Sequence, residues 1–198
     1  MRRRIREDTG QAFPIYITVV GGLLFLAFAY LAVGQAAANR NGAQTAADAA
    51  ALAAAQERRD QLAAQWVVDV LDPTKWQDIF DGIATGPDQS CGRADQLAAQ
   101  NEATVLACGP NGPLSYTIEV ETNKTVGESV IPGTEDKKSK ASATADIEPL
   151  CEFEPPADDA ADDVLPRLEC EDRDWDLDPD DLTVLPEPED LFEVHLAD

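Results

Sequence analysis

No charged side chain occurs between residues 10 and 39. Within that gap, residues 13–33 read FPIYITVVGGLLFLAFAYLAV. As a helix this run is roughly 31 Å long, which matches a hydrocarbon core of about 30 Å. Pro14 falls in the first turn, where its missing N–H breaks no helical bond. Tyr16 and Tyr30 lie toward the two ends, where amphipathic rings favour the membrane interface. Arg2, Arg3, Arg4 and Arg6 precede the run and Arg40 alone follows it closely. Glu7 and Asp8 count weakly in orientation, so the arginines predict a cytoplasmic N-terminus and a C-terminal bulk outside the cell membrane. A cleaved secretory signal would share the basic start and the small residues Ala36, Ala37 and Ala38. Its apolar core is about 7–15 residues, shorter than this one, so a retained single-pass anchor in contact with membrane lipid is expected.

Four cysteines follow the anchor: Cys91, Cys108, Cys151 and Cys170. None forms a Cys-x-x-Cys pair, and the single histidine, His195, cannot complete a zinc site with them. An even count in an oxidising compartment predicts two disulfides. Three pairings are possible. The sequential one, Cys91–Cys108 with Cys151–Cys170, closes loops of about 16–18 residues and is favoured; each would stabilise by roughly 3 kcal/mol.

Twelve of the twenty residues in 36–55 are alanine. Alanine is the best helix former, so the membrane helix is expected to continue outward as a rod, with Asn39, Asn41 and Gly42 as places for a kink. Ala43, Ala47, Ala51 and Ala55 repeat at helical spacing and form a small-residue face that another backbone can approach, which allows a homo-oligomer or packing against related rods. Leu52, Ala55, Leu62, Trp66 and Val70 form a stripe expected to face a small domain. Asp72 as N-cap, Pro73 at the first helical position and the run to Phe80 predict a short helix ending at Gly82. Trp66, Trp76, Ile79 and Phe80 are assigned to the core.

A second short helix is expected over 93–101 and a strand over 104–107. Gly109, Pro110, Asn111, Gly112 and Pro113 then make a turn. Residues 114–122 alternate, with Leu114, Tyr116, Ile118 and Val120 on one face, as in a half-buried antiparallel strand. After a loop with Gly127, Pro132 and Gly133, residues 139–147 alternate again, with Ala141, Ala143, Ala145 and Ile147 inward. The expected unit is a helix on about three strands. Such a core is small, and a disulfide would matter to it.

Composition changes after Cys151. Residues 152–198 hold 19 Asp and Glu against Arg167 and Arg173, and the whole chain has a net charge of −23. Six prolines and this charge predict a largely irregular tail. Its scattered Val164, Leu165, Leu168, Trp175, Leu177, Leu182, Val184, Leu185, Leu191, Phe192, Val194 and Leu196 predict that parts of it dock on a partner or on the chain's own domain. Asp174, Asp176, Asp178, Asp180, Asp181 and Glu187 approach calcium-loop spacing, but Asp181 stands where the sharp turn needs glycine, and Pro179 and Pro186 interrupt. The tail therefore reads as solvated acid, with cation or basic-partner binding by an anchored envelope module as the alternative function. Asn123, Lys124 and Thr125 fit a glycosylation sequon of low specificity.

The negative charge excludes nucleic acid as a partner, since phosphates are repelled. With one histidine, no glycine-rich phosphate cradle outside the membrane and no base for a Ser nucleophile, the chain reads as a non-enzyme. No catalytic, cofactor-binding or metal residue is assigned, and His195 is given no role.

The expected organisation is thus α+β: a basic leader over 1–12, a transmembrane helix over 13–33, an Ala-rich extension over 34–71, a small helix-plus-antiparallel-sheet head over 72–151 and an acidic tail over 152–198. The stretch from Gly10-Gln11-Ala12-Phe13-Pro14-Ile15 through Gln44-Thr45-Ala46-Ala47-Asp48-Ala49-Ala50-Ala51-Leu52-Ala53 resembles the N-terminal module of TadE/TadG-like proteins of the tight-adherence, Flp-type pilus machinery, mainly over residues 6–56. The resemblance implies a single-pass envelope protein with a pilin-like head that works in pilus assembly or a related secretion system, beside other pilus-assembly or pilin-like proteins. Prepilin-like relatives carry Glu five residues after the leader glycine; here that place is Ile15. The resemblance is therefore to the unprocessed, membrane-retained TadG-like branch.

Overall fold

Alanine costs a helix neither side-chain entropy nor bulk, and the Ala-rich stretch extends the apolar run without a break. The computed structural model describes residues 12–125, 127, 136–155 and 165–197; the leader arginines, Pro132 and Gly133 lie outside them. Helix α1 covers Ala12–Val68 and passes uninterrupted through Asn39, Asn41 and Gly42. Its first half stands clear of the rest of the chain. Its second half is the spine of the folded head.

The chain leaves α1 through a 3-10 turn, Pro73–Lys75, and helix α2, Trp76–Phe80. Asp72 precedes the turn as expected, but its carboxylate accepts a 2.6 Å bond from the Thr74 hydroxyl rather than capping backbone N–H groups. Gly82 ends the segment at φ +85°, and a Cβ there would lie 2.8 Å from the Pro113 carbonyl oxygen. Only glycine suits both the left-handed backbone and that approach. Helix α3, Ser90–Gln100, then packs along α1.

A four-stranded antiparallel sheet follows, in the order β1–β2–β3–β6: β1 is Ala103–Pro110, β2 Ser115–Thr122, β3 Lys140–Pro149 and β6 Phe192–Leu196. The alternation in β2 decides its face: Tyr116, Ile118 and Val120 are buried with Ala145 and Ile147 of β3. Ser115, Thr117, Glu119 and Glu121 lie on the other side. A bulge between Val105 and Ala107 shifts the β1 register.

Between β3 and β6 the chain makes a two-stranded ribbon of β4, Cys151–Phe153, and β5, Leu168–Cys170, and a one-turn helix α4, Pro188–Leu191. The tail is mostly irregular, yet residue 151 is not a packing boundary. Leu168, Trp175, Leu191 and Phe192 are buried in the same cluster as Leu62, Trp66 and Trp76 of the rod side. Three strands were expected; the fourth comes from the tail. Most of the apolar residues scattered through the acid dock on the chain's own head, with Leu177, Leu182, Leu185 and Val194 packed against that cluster, while Val184 and Leu196 stay exposed; Val164 lies outside the described residues.

Candidate functional site: the membrane-to-rod helix and its fused head

The two halves of α1 differ in what surrounds them. In an 18-residue window of mean hydropathy 2.2 no residue is buried by the chain. Phe25 is 72% and Tyr30 83% exposed. A large apolar surface of this kind is covered by lipid or by a partner, not by water. Past Asn39 the pattern reverses. Ala43, Ala46, Ala47, Ala50, Ala51, Ala54 and Ala55 have no exposed surface at all. Ala43, Ala47, Ala51 and Ala55, expected to admit another backbone, are buried within the chain, whose α1 packs against α3 and the sheet.

The change of surroundings is marked by Asn39. Its side-chain amide donates to the backbone carbonyls of Lys124 at 3.1 Å and Thr125 at 3.3 Å, beyond the end of β2. Thr122, a buried polar residue, has its hydroxyl 3.3 Å from the Asn39 amide oxygen and 2.9 Å from the Lys124 carbonyl. The loop after β2 is thereby fastened to the helix just past the apolar span. The sequon residues Asn123, Lys124 and Thr125 sit in this fastening, with Asn123 accepting 2.7 Å from the Thr104 hydroxyl.

Farther along the rod, Arg58 reaches across to donate to the Gly82 carbonyl at 2.8 Å. Beside it, the Tyr116 hydroxyl donates to Asp88, which also accepts from the Ser90 backbone N–H at 2.9 Å. Burial pushes the Asp88 carboxyl up, but the hydrogen bonds from Ser90 and Tyr116 and the Arg58 charge outweigh it and hold it below the ordinary range. Burial, helped by the Asp88 hydrogen bond, pushes the Tyr116 phenol above its ordinary value. The group joins α1, the segment before α3, and β2.

At the end of α1 remote from the apolar span, aromatic rings close the core. Trp66 and Trp76 lie 5.3 Å apart between centroids, Trp76 and Phe153 5.2 Å, Phe80 and Phe192 5.4 Å. The four residues assigned to the core, Trp66, Trp76, Ile79 and Phe80, are buried there. Cys91 is joined to Cys108 and Cys151 to Cys170. The first bond ties the start of α3 to β1; the second links directly opposed residues of β4 and β5.

Four of the tail carboxylates that suggested a calcium loop, Asp174, Asp176, Asp178 and Asp181, are engaged by separate local partners. Asp174 and Asp176 face Arg167 at 2.8 and 3.5 Å, Asp178 accepts from the Asp180 backbone, Asp181 accepts from Thr183, and the Glu187 backbone N–H is taken by Asp190. His195 lies on β6 beside Glu193 and Glu148. Three features were missed from sequence. The alternation of Phe192, Val194 and Leu196 with Glu193 and His195 was a readable strand signal hidden by the tail's charge. Asn39, polar at the end of an apolar run, was read only as a weak point. The Arg58, Asp88 and Tyr116 meeting had no local signal.

No curated protein and no solved structure matches the chain. The segment in which the exposed apolar helix becomes the buried alanine rod, residues 10–57, matches the family model of TadE/G-like Flp pilus-assembly proteins.

Proposed function

We propose that the protein is a single-pass, membrane-anchored structural component of a Flp-type pilus or a related secretion system, with its head outside the cell and its N-terminus in the cytoplasm. The observation that carries the proposal is the division of α1. One half offers lipid an uncovered apolar surface, and the other is fused to the head along its alanine face. Such a helix transmits the position of the membrane to the head without a flexible joint. The family match over this same segment supports pilus assembly as the setting. Orientation is supported by the leader arginines and by the two disulfides, which belong to an oxidising compartment. Its partners in this reading are membrane lipid and other pilus-assembly or pilin-like proteins, and its role is non-enzymatic.

Deleting the gene tests the role: surface filaments or the associated secretion should be lost and restored by the wild-type copy. Unchanged filaments and secretion would reject it. Topology is tested separately in intact cells. After mild reduction, a membrane-impermeant maleimide should label the head cysteines. Labelling that requires opening the cytoplasm would reject the orientation.

A further inference from the structure

We infer that Glu148, Glu193 and His195 form a surface site for a divalent transition metal of the zinc class, spanning strands β3 and β6. The antiparallel register sets Glu148 directly opposite Glu193 and His195 opposite Asp146. Alternation along both strands puts all four on the solvent face, opposite the buried Ile147 and Phe192. One carboxylate oxygen from each Glu and one imidazole nitrogen lie within 4.8 Å of one another. Zinc bonded to such atoms at about 2.0–2.2 Å needs its ligands roughly 3.4 Å apart. The three side chains are exposed and close that gap by rotation. Two carboxylates directly opposed across a ladder repel, and among the described residues no Lys or Arg forms an ion pair with either.

The donor set selects the metal class. Calcium and magnesium take six or more oxygen ligands, whereas an imidazole nitrogen with two carboxylates suits zinc and its neighbours. The site is distinct from the tail carboxylates Asp174, Asp178 and Asp181, which are engaged by Arg167 and by local backbone and hydroxyl groups. Because one ligand comes from β3 and two from β6, a bound ion clamps the tail's strand to the head. Metal that binds only the folded pair stabilises it.

The chain has a single histidine, so its ring signals report on this site alone. The intact protein in detergent micelles, labelled with 15N-histidine, is titrated with zinc at neutral pH, in excess calcium to saturate weak carboxylate binding elsewhere on the chain. One equivalent of zinc should shift the ring nitrogen resonances and raise the thermal midpoint. His195→Ala should abolish the midpoint shift, and Glu148→Gln and Glu193→Gln should each weaken zinc binding about tenfold or more, as loss of a metal-orienting group does elsewhere. Ring signals unmoved by several equivalents would overturn the inference. So would wild-type zinc affinity in His195→Ala, or carboxamide variants that bind like the parent.

Discussion

Tyr116, on the second strand, donates its hydroxyl hydrogen bond to the Asp88 carboxylate in the segment before α3. Arg58, whose guanidinium holds the Gly82 carbonyl, lies near enough for its charge to act on Asp88. Three parts of the chain distant in sequence therefore meet at one polar point against the rod. Tyr116→Phe removes the bond and keeps the buried ring. The expected cost is about 1 kcal/mol, because a charge-assisted bond is partly screened where the carboxylate reaches solvent. Chemical denaturation of the detergent-solubilised chain measures it; an unchanged midpoint would remove Asp88 from the account.

The same carboxylate predicts how stability responds to acid. Asp88 has a folded pKa below its unfolded value of about 3.9. Its contribution is complete above that value and disappears as pH falls through the folded pKa. Asp69 and Asp72 are lowered in the same direction, Asp69 chiefly by the Lys75 ammonium and Asp72 chiefly by the Thr74 hydroxyl. Acid also relieves repulsion among the chain's many carboxylates, so total stability is a poor readout. The stability difference between wild type and Asp88→Asn should be constant from neutral pH down to about 4 and shrink below it. A difference that persists at lower pH would contradict the sign.

The alanine face predicts an asymmetry between two leucine substitutions on one helix. Ala50 has no exposed surface and faces the head, while Ala64 is exposed on the same rod. Ala50→Leu must force extra atoms into packed backbone and should cost about 1–3 kcal/mol or prevent folding. Ala64→Leu should stay within about 0.5 kcal/mol of the parent. Thermal midpoints of the two variants decide the matter, and equal midpoints would mean the rod and head are not fused as described.

These contrasts also explain what was readable from sequence. Periodicities that one element carries by itself were legible: the apolar span, the alanine rod, and the alternation of Tyr116, Ile118 and Val120. The partners of those faces were not. Nothing near Ala47 in sequence says whether another rod or the chain's own head will bury it, because any backbone of suitable shape fits a small-residue face. The polar meeting of Arg58, Asp88 and Tyr116 is set by tertiary packing and leaves no local trace. In the tail, Leu168, Trp175, Leu191 and Phe192 were legible as docking residues, but the surface they dock on was not. The strand over Phe192–Leu196 was hidden because acid dominates any average over residues 152–198.

Cys151 and Cys170 hold the start of that tail against the head, with the Trp175 backbone exchanging bonds of 2.8 and 3.0 Å with Leu168 next to them. Replacing both cysteines by alanine opens a loop whose closure is worth roughly 3 kcal/mol in the chain-entropy model. The ribbon is at the periphery of the sheet, so its loss should loosen residues 165–190 before it unfolds the strands. Limited proteolysis should find new cuts around Arg167 and Arg173 while β1 to β3 stay protected. Cleavage that begins between β1 and β2 instead would show that the bond supports the whole sheet.

Phe192 gives the sharpest test of whether the C-terminal segment is part of the folded head. Its ring is buried, lies 5.4 Å from Phe80 and starts the strand that pairs with β3. If the acidic tail were an appendage, Phe192→Ala would be nearly silent. As a core residue shared between the tail and the rod side, it should cost about 3–5 kcal/mol, the usual range for emptying a buried aromatic site. Glu189→Gln, one turn earlier, breaks only the exposed 2.8 Å pair with Arg59 and should cost under about 1 kcal/mol. Measuring both in the same detergent separates burial from charge, and a Phe192→Ala midpoint close to that of Glu189→Gln would return the tail to the solvent.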